Sequence, residues 1–80
     1  MTAAQDLSTA REVLAGVLDV PVGTISDDSS IGNVEEWDSL AHMKLVLEIE
    51  RRLKRELSPL EIAEITSLLD VASILARDAA

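Results

Sequence analysis

Eighty residues with fifteen acids, seven bases, no cysteine and one histidine make a single small acidic domain of net charge −8. That balance argues against nucleic acid, whose phosphates would be repelled, and against a disulfide or Cys/His metal framework. Trp37 is the only aromatic residue, so the core must be built from packed Leu, Ile, Val and Ala.

The opening segment, Met1-Thr2-Ala3-Ala4-Gln5-Asp6, has no basic run followed by an apolar one, and no signal peptide is expected. No stretch reaches the roughly 20 apolar residues of a membrane helix, which predicts a cytoplasmic protein without membrane partners. Leu7, Ala10, Leu14, Val17 and Leu18 recur at helical spacing with Val13 beside them. They predict a first helix from about Gln5 to Leu18, closed by Pro21 and Gly23. From Asp19 to Trp37 no period is sustained, and Gly, Ser, Asp and Asn dominate. A connection longer than about 12–15 residues is uncommon in a compact domain and is often functional. Val22, Ile25, Ile31 and Val34 are expected to pin it to the core.

The second helix is expected from Ser39 to about Leu53, with Asp38 as N-cap. Ser58-Pro59-Leu60-Glu61 has the serine, proline and glutamate of a capping box and predicts a short third helix ending near Ile65. Ser67 caps a last helix, with Asp70 three residues on and Leu68, Val71, Ala72 and Leu75 along one face. The fold class is therefore all-α. A four-helix bundle is expected, with three longer helices, one short third helix and a long first loop, forming one domain over residues 1–80.

On a helical wheel of the second helix, Leu45, Val46, Ile49 and Leu53 form a core arc that includes His42. Leu40, Met43 and Leu47 form a second apolar stripe, and Ser39 lies between the two. The apolar arc is wider than the ~100° a surface helix typically needs. Either the long loop covers the second stripe, or the stripe is a docking surface, for which adaptable Met is suited.

Ser39 itself admits three readings. It is a first-turn residue, or a nucleophile, or a hydroxyl modified by another protein. Catalysis would require a base, an orienting group and oxyanion donors. His42 falls on the core face, and no Gly-x-Ser-x-Gly elbow is present, so an enzyme is not expected. A helix N-terminus does favour a phosphate, which suits regulatory phosphorylation or a phosphate-linked prosthetic group equally well.

Asp38-Ser39-Leu40, followed by the apolar helix Leu45-Val46-Leu47-Glu48-Ile49-Glu50, resembles the acyl carrier proteins and related thiolation domains. Asp28-Ser29-Ser30-Ile31, Leu57-Ser58-Pro59-Leu60-Glu61-Ile62 and Ile65-Thr66-Ser67-Leu68-Leu69-Asp70 extend the resemblance over nearly the whole chain. It implies covalent carriage. Ser39 would bear 4′-phosphopantetheine, placed there from coenzyme A by a phosphopantetheinyl transferase that uses Mg²⁺. The arm's thiol would hold an acyl or aminoacyl group as a thioester. Asp38 is then read as the helix cap and a candidate contact for the transferase.

The resemblance also implies that Leu40, Met43 and Leu47 meet partner enzymes, with Lys44 and Glu48 among the docking residues. Those partners would be a loading ligase and a downstream transferase or synthase, met by a carrier expected to stand alone as a monomer. Lys44 stands where many fatty-acid carriers have an acid, and Trp37 where they have a small residue. Tryptophan there is more like discrete carriers of polyketide, nonribosomal-peptide, D-alanyl or aminoacyl systems. Lys54 stands where a turn glycine is common, which predicts a slightly longer second helix. The basic run from Arg51 to Arg55 complements the helix dipole. The alternative is a non-pantetheinylated helical interaction module regulated by phosphorylation of Ser39.

Overall fold

The computed structural model describes the backbone of residues 2–77 and the side chains of residues 7–76. Four α-helices follow in order: α1 (Thr2–Leu18), α2 (Ser39–Leu53), α3 (Pro59–Glu64) and α4 (Leu68–Arg77). A turn of 3₁₀ helix, Val22–Thr24, interrupts the first loop. This is the all-α bundle the sequence predicts. α1 starts three residues before the expected Gln5, because apolar periodicity marks where a helix packs rather than where it begins.

α1 packs against both α4 and α2. Leu14 of α1, Leu45 and Ile49 of α2, Leu68 and Val71 of α4, and Ile65 just before α4 are essentially inaccessible to solvent. α1, α2 and α4 thus present their apolar arcs to one shared core, against which α3 packs the partly buried Ile62.

The long loop is held differently from expectation. Ile25 is buried and Val34 packs against the core, but Val22 and Ile31 are exposed. Backbone and polar contacts fasten the loop where those two side chains do not. Ile31 N–H donates to the Thr66 carbonyl at 2.8 Å, and Leu68 N–H donates to the Ser29 carbonyl at 2.9 Å. An isolated β-bridge pairs Ser30 with Ser67 between them. The buried Ser29 hydroxyl accepts the Ser26 N–H at 3.0 Å. Arg11 of α1 donates to the Ile25 carbonyl at 3.0 Å and pairs with Asp27. Buried backbone groups need such partners, and polar stitching supplies them without further apolar anchors.

α1 and α2 end alike, with Asp19 and Lys54 in the left-handed region at φ 59° and 60°. The Val20 N–H reaches back to the Ala15 carbonyl, while Lys54 and Arg55 N–H groups both reach the Glu50 carbonyl. The longer second helix expected from Lys54 is therefore not found: Lys54 adopts the glycine-like conformation itself and stops α2 at Leu53. A lysine there carries a Cβ penalty that glycine avoids, offset in part by glycine's freer unfolded chain. Lys54→Gly is accordingly expected to stabilise the fold by about 0.5–1 kcal/mol, read as a higher midpoint in urea unfolding.

Charged groups brace the α2–α3 connection. The Glu50 carboxylate accepts the Leu57 N–H at 2.8 Å. The Arg55 guanidinium grips both Glu61 oxygens at 3.0 and 3.1 Å, while Glu61 completes the predicted capping box with Ser58. Hydrogen bonds from Arg55, then from the Ser58 backbone, hold the Glu61 carboxyl down at about 2 against an ordinary 4.5. Because the folded value is the lower one, this brace is fully present above the ordinary value and is lost as pH falls toward about 2. Melting temperatures measured down that acid range should fall more steeply for the parent than for Glu61→Gln.

Candidate functional site

The loop delivers Ser39 to the surface as the first residue of α2. Asp38 has extended backbone (φ −98°, ψ −172°), and its carboxylate accepts the Ala41 N–H at 2.9 Å. The His42 N–H closes the first helical turn on the Asp38 carbonyl at 2.9 Å. Asp38 is thus the cap, and Ser39 stands free of that duty at the positive end of the helix.

Trp37, two residues before Ser39, is only 2% exposed. Its indole N–H donates to Nδ1 of His42 at 3.1 Å, and the two rings stack at a 6.1 Å centroid separation and 26° between planes. The other nitrogen of His42, Nε2, lies 3.5 Å from the Ile62 carbonyl of α3. His42 is therefore the packed, hydrogen-bonded residue expected from the wheel, with Nδ1 bonded to Trp37 and Nε2 facing the Ile62 carbonyl. The sequence did not indicate that Trp37 would be its donor. A tryptophan N–H about to be buried needs an acceptor, and a lone histidine five residues on was the available signal.

Leu40, Met43 and Leu47 are 66%, 58% and 61% exposed. No loop covers them, so the reading in which the long loop buries this stripe does not hold. Lys44 is exposed at the edge of this stripe. Glu48 sits on a neighbouring face, beside Glu12, Val13 and Gly16 of α1. Arg51 binds it at 2.6 Å and Arg52 at 2.8 Å, and hydrogen bonds from these two lower its carboxyl below the ordinary range. The basic end of α2 thus forms local ion pairs besides complementing the dipole. At such exposed positions each pair contributes little to stability.

Against this geometry, a family model described as the phosphopantetheine attachment site matches residues 8–75. The chain belongs to the phosphopantetheine-binding carrier family. Over 74 residues it is also 31% identical to the polyketide-8 synthase acyl carrier protein 2 of Streptomyces avermitilis, an alignment covering 92% of this chain and 85% of that protein. The carrier's prosthetic group is 4′-phosphopantetheine, and its role is carriage rather than catalysis. Phosphopantetheinyl transferase and biosynthetic enzymes are the general partners of such a carrier. Among the described residues no helix is long and apolar enough to cross a membrane.

Proposed function

We propose that Ser39 carries the 4′-phosphopantetheine arm, and that this carrier holds polyketide-type acyl intermediates for the enzymes of a specialised biosynthetic pathway. The observation that carries the assignment is the exposure of Ser39 as first residue of a capped helix, within the span matched to the attachment-site family. The residues suit the group. Asp38's carboxylate is engaged with Ala41, while the start of α2 offers its partial positive charge to a phosphodiester on the neighbouring hydroxyl. When bound, the arm supplies the thiol that a cysteine-free chain lacks, and the acyl group rides on it as a thioester.

The uncovered stripe of Leu40, Met43 and Leu47 starts at the residue after Ser39 and extends about two turns along α2, and we assign partner docking to it, with Lys44 and Glu48 at its margins. The transferase would meet this surface first, then a loading enzyme, then a downstream transferase or synthase. Polyketide cargo is favoured by the relative, a polyketide synthase carrier, while Trp37 in place of the small residue of fatty-acid carriers points only away from fatty-acid synthesis. The test is incubation with coenzyme A, Mg²⁺ and a promiscuous phosphopantetheinyl transferase, followed by intact-mass and peptide analysis. A single phosphopantetheine increment on the Ser39 peptide supports the assignment. An increment on another residue, or none with several transferases, sinks it.

A further inference from the structure

Trp37 and His42 form a contact that the carrier role does not require, and it lies against the attachment turn. A neutral imidazole that accepts through Nδ1 carries its proton on Nε2, and here Nε2 faces the Ile62 carbonyl. One ring therefore joins three elements: the end of the long loop through Trp37, α2 through its own backbone, and α3 through Ile62. The Trp37 N–H also donates to no carboxylate or water-facing group. It is buried, and His42 is its acceptor. A buried donor left without an acceptor is destabilised, so the stacked pose of Trp37 depends on this imidazole. Trp37, Asp38 and Ser39 are consecutive, so the pose of the indole fixes the direction from which the chain enters Ser39. No ion pair competes for the ring: the pairs among the described residues join Arg11, Arg51, Arg52 and Arg55 to carboxylates, and none involves His42.

We propose that His42 is a positioning residue for modification of Ser39. By accepting the Trp37 N–H and abutting Ile62, it holds the turn before Ser39 in one pose, so that the transferase binds a turn already ordered. This rests on Ser39 being the modified residue. The consequence is a binding effect rather than a chemical one, because the partners of the His42 ring are Trp37 and Ile62 and not the reacting hydroxyl.

The experiment compares transferase kinetics on four folded carriers, their folding checked by circular dichroism: parent, His42→Leu, His42→Asn and Trp37→Phe. His42→Leu removes the acceptor and is expected to raise the KM for the carrier about fivefold, the size of one lost hydrogen bond, with kcat unchanged. Trp37→Phe keeps a ring but removes the donor, and should match it. His42→Asn returns an oxygen acceptor near Nδ1 and should recover the parent KM. Independently, nitrogen-15 NMR of the unmodified parent should show scalar coupling across the hydrogen bond between Trp37 Nε1 and His42 Nδ1. Loading on Ser39 with the same KM in parent, His42→Leu and Trp37→Phe would overturn the positioning role, as would absent coupling. Loading that maps to another residue would instead sink the Ser39 assignment itself, and the NMR result does not depend on it.

Discussion

Ser39→Ala is expected to abolish phosphopantetheine loading completely while leaving the fold intact. The hydroxyl is the proposed nucleophile toward coenzyme A, and alanine offers no substitute. The structural cost is small because Ser39 is exposed and the capping bond belongs to its neighbour, Asp38. Unfolding free energy should stay within about 0.5 kcal/mol of the parent, as for a surface substitution away from special contacts. Asp38→Ala provides the opposite pattern. It removes the acceptor for the Ala41 N–H and should cost about 1 kcal/mol, or about 4–8 °C in melting temperature, yet still allow loading at Ser39. The two variants thus separate attachment from capping at adjacent residues. Residual loading of Ser39→Ala, seen by intact mass, would mean that the arm sits elsewhere.

Trp37→Ala is expected to have the largest effect on stability. The indole is almost fully buried in a chain with no other aromatic residue, and its removal opens a cavity at the junction of loop, α2 and α3. Large-to-small substitution of a buried tryptophan costs about 3–5 kcal/mol. An 80-residue domain has only about 4–12 kcal/mol in total at the usual 0.05–0.15 kcal/mol per residue. Urea unfolding should therefore place the variant near the edge of stability, with a melting temperature lower by about 12 °C or more. Trp37→Phe should lose much less, because a ring still fills most of the space and only the N–H is missing. An alanine variant within about 1 kcal/mol of the parent would show that neighbouring side chains close the cavity.

Several features of the fold were legible because they are local. Asp38 before Ser39 and the Ser58-to-Glu61 spacing each specify a cap by chemistry that acts within one turn, and both caps form. The core arc of Leu45, Val46 and Ile49 follows from the 3.6-residue period. Ser39 was conspicuous for the same reason: it follows a cap and precedes an apolar helix. The fastening of the long loop was not legible. Hydrophobicity suggested Val22 and Ile31 as anchors, whereas backbone bonds to Thr66 and Leu68 perform that task. Any residue can make such bonds, so the sequence leaves no mark of them. Lys54 was misread in a related way, since a lysine can take a left-handed conformation at a cost that other interactions offset.

By itself, then, the sequence determined the helices, their caps, the buried arcs and the serine that opens α2 after its cap, because these depend on spacing along a single chain segment. Only the tertiary structure decided which apolar surface stays uncovered. The stripe of Leu40, Met43 and Leu47 is exposed because the loop is drawn toward the start of α4, where Ser30 meets Ser67, rather than across α2. It also decided the partner of the lone histidine. A wheel places His42 on the core face, but only packing brings the Trp37 N–H and the Ile62 carbonyl to its two edges, since those groups come from different elements. Exposure and partnership are relations between segments, and they are fixed when the segments meet.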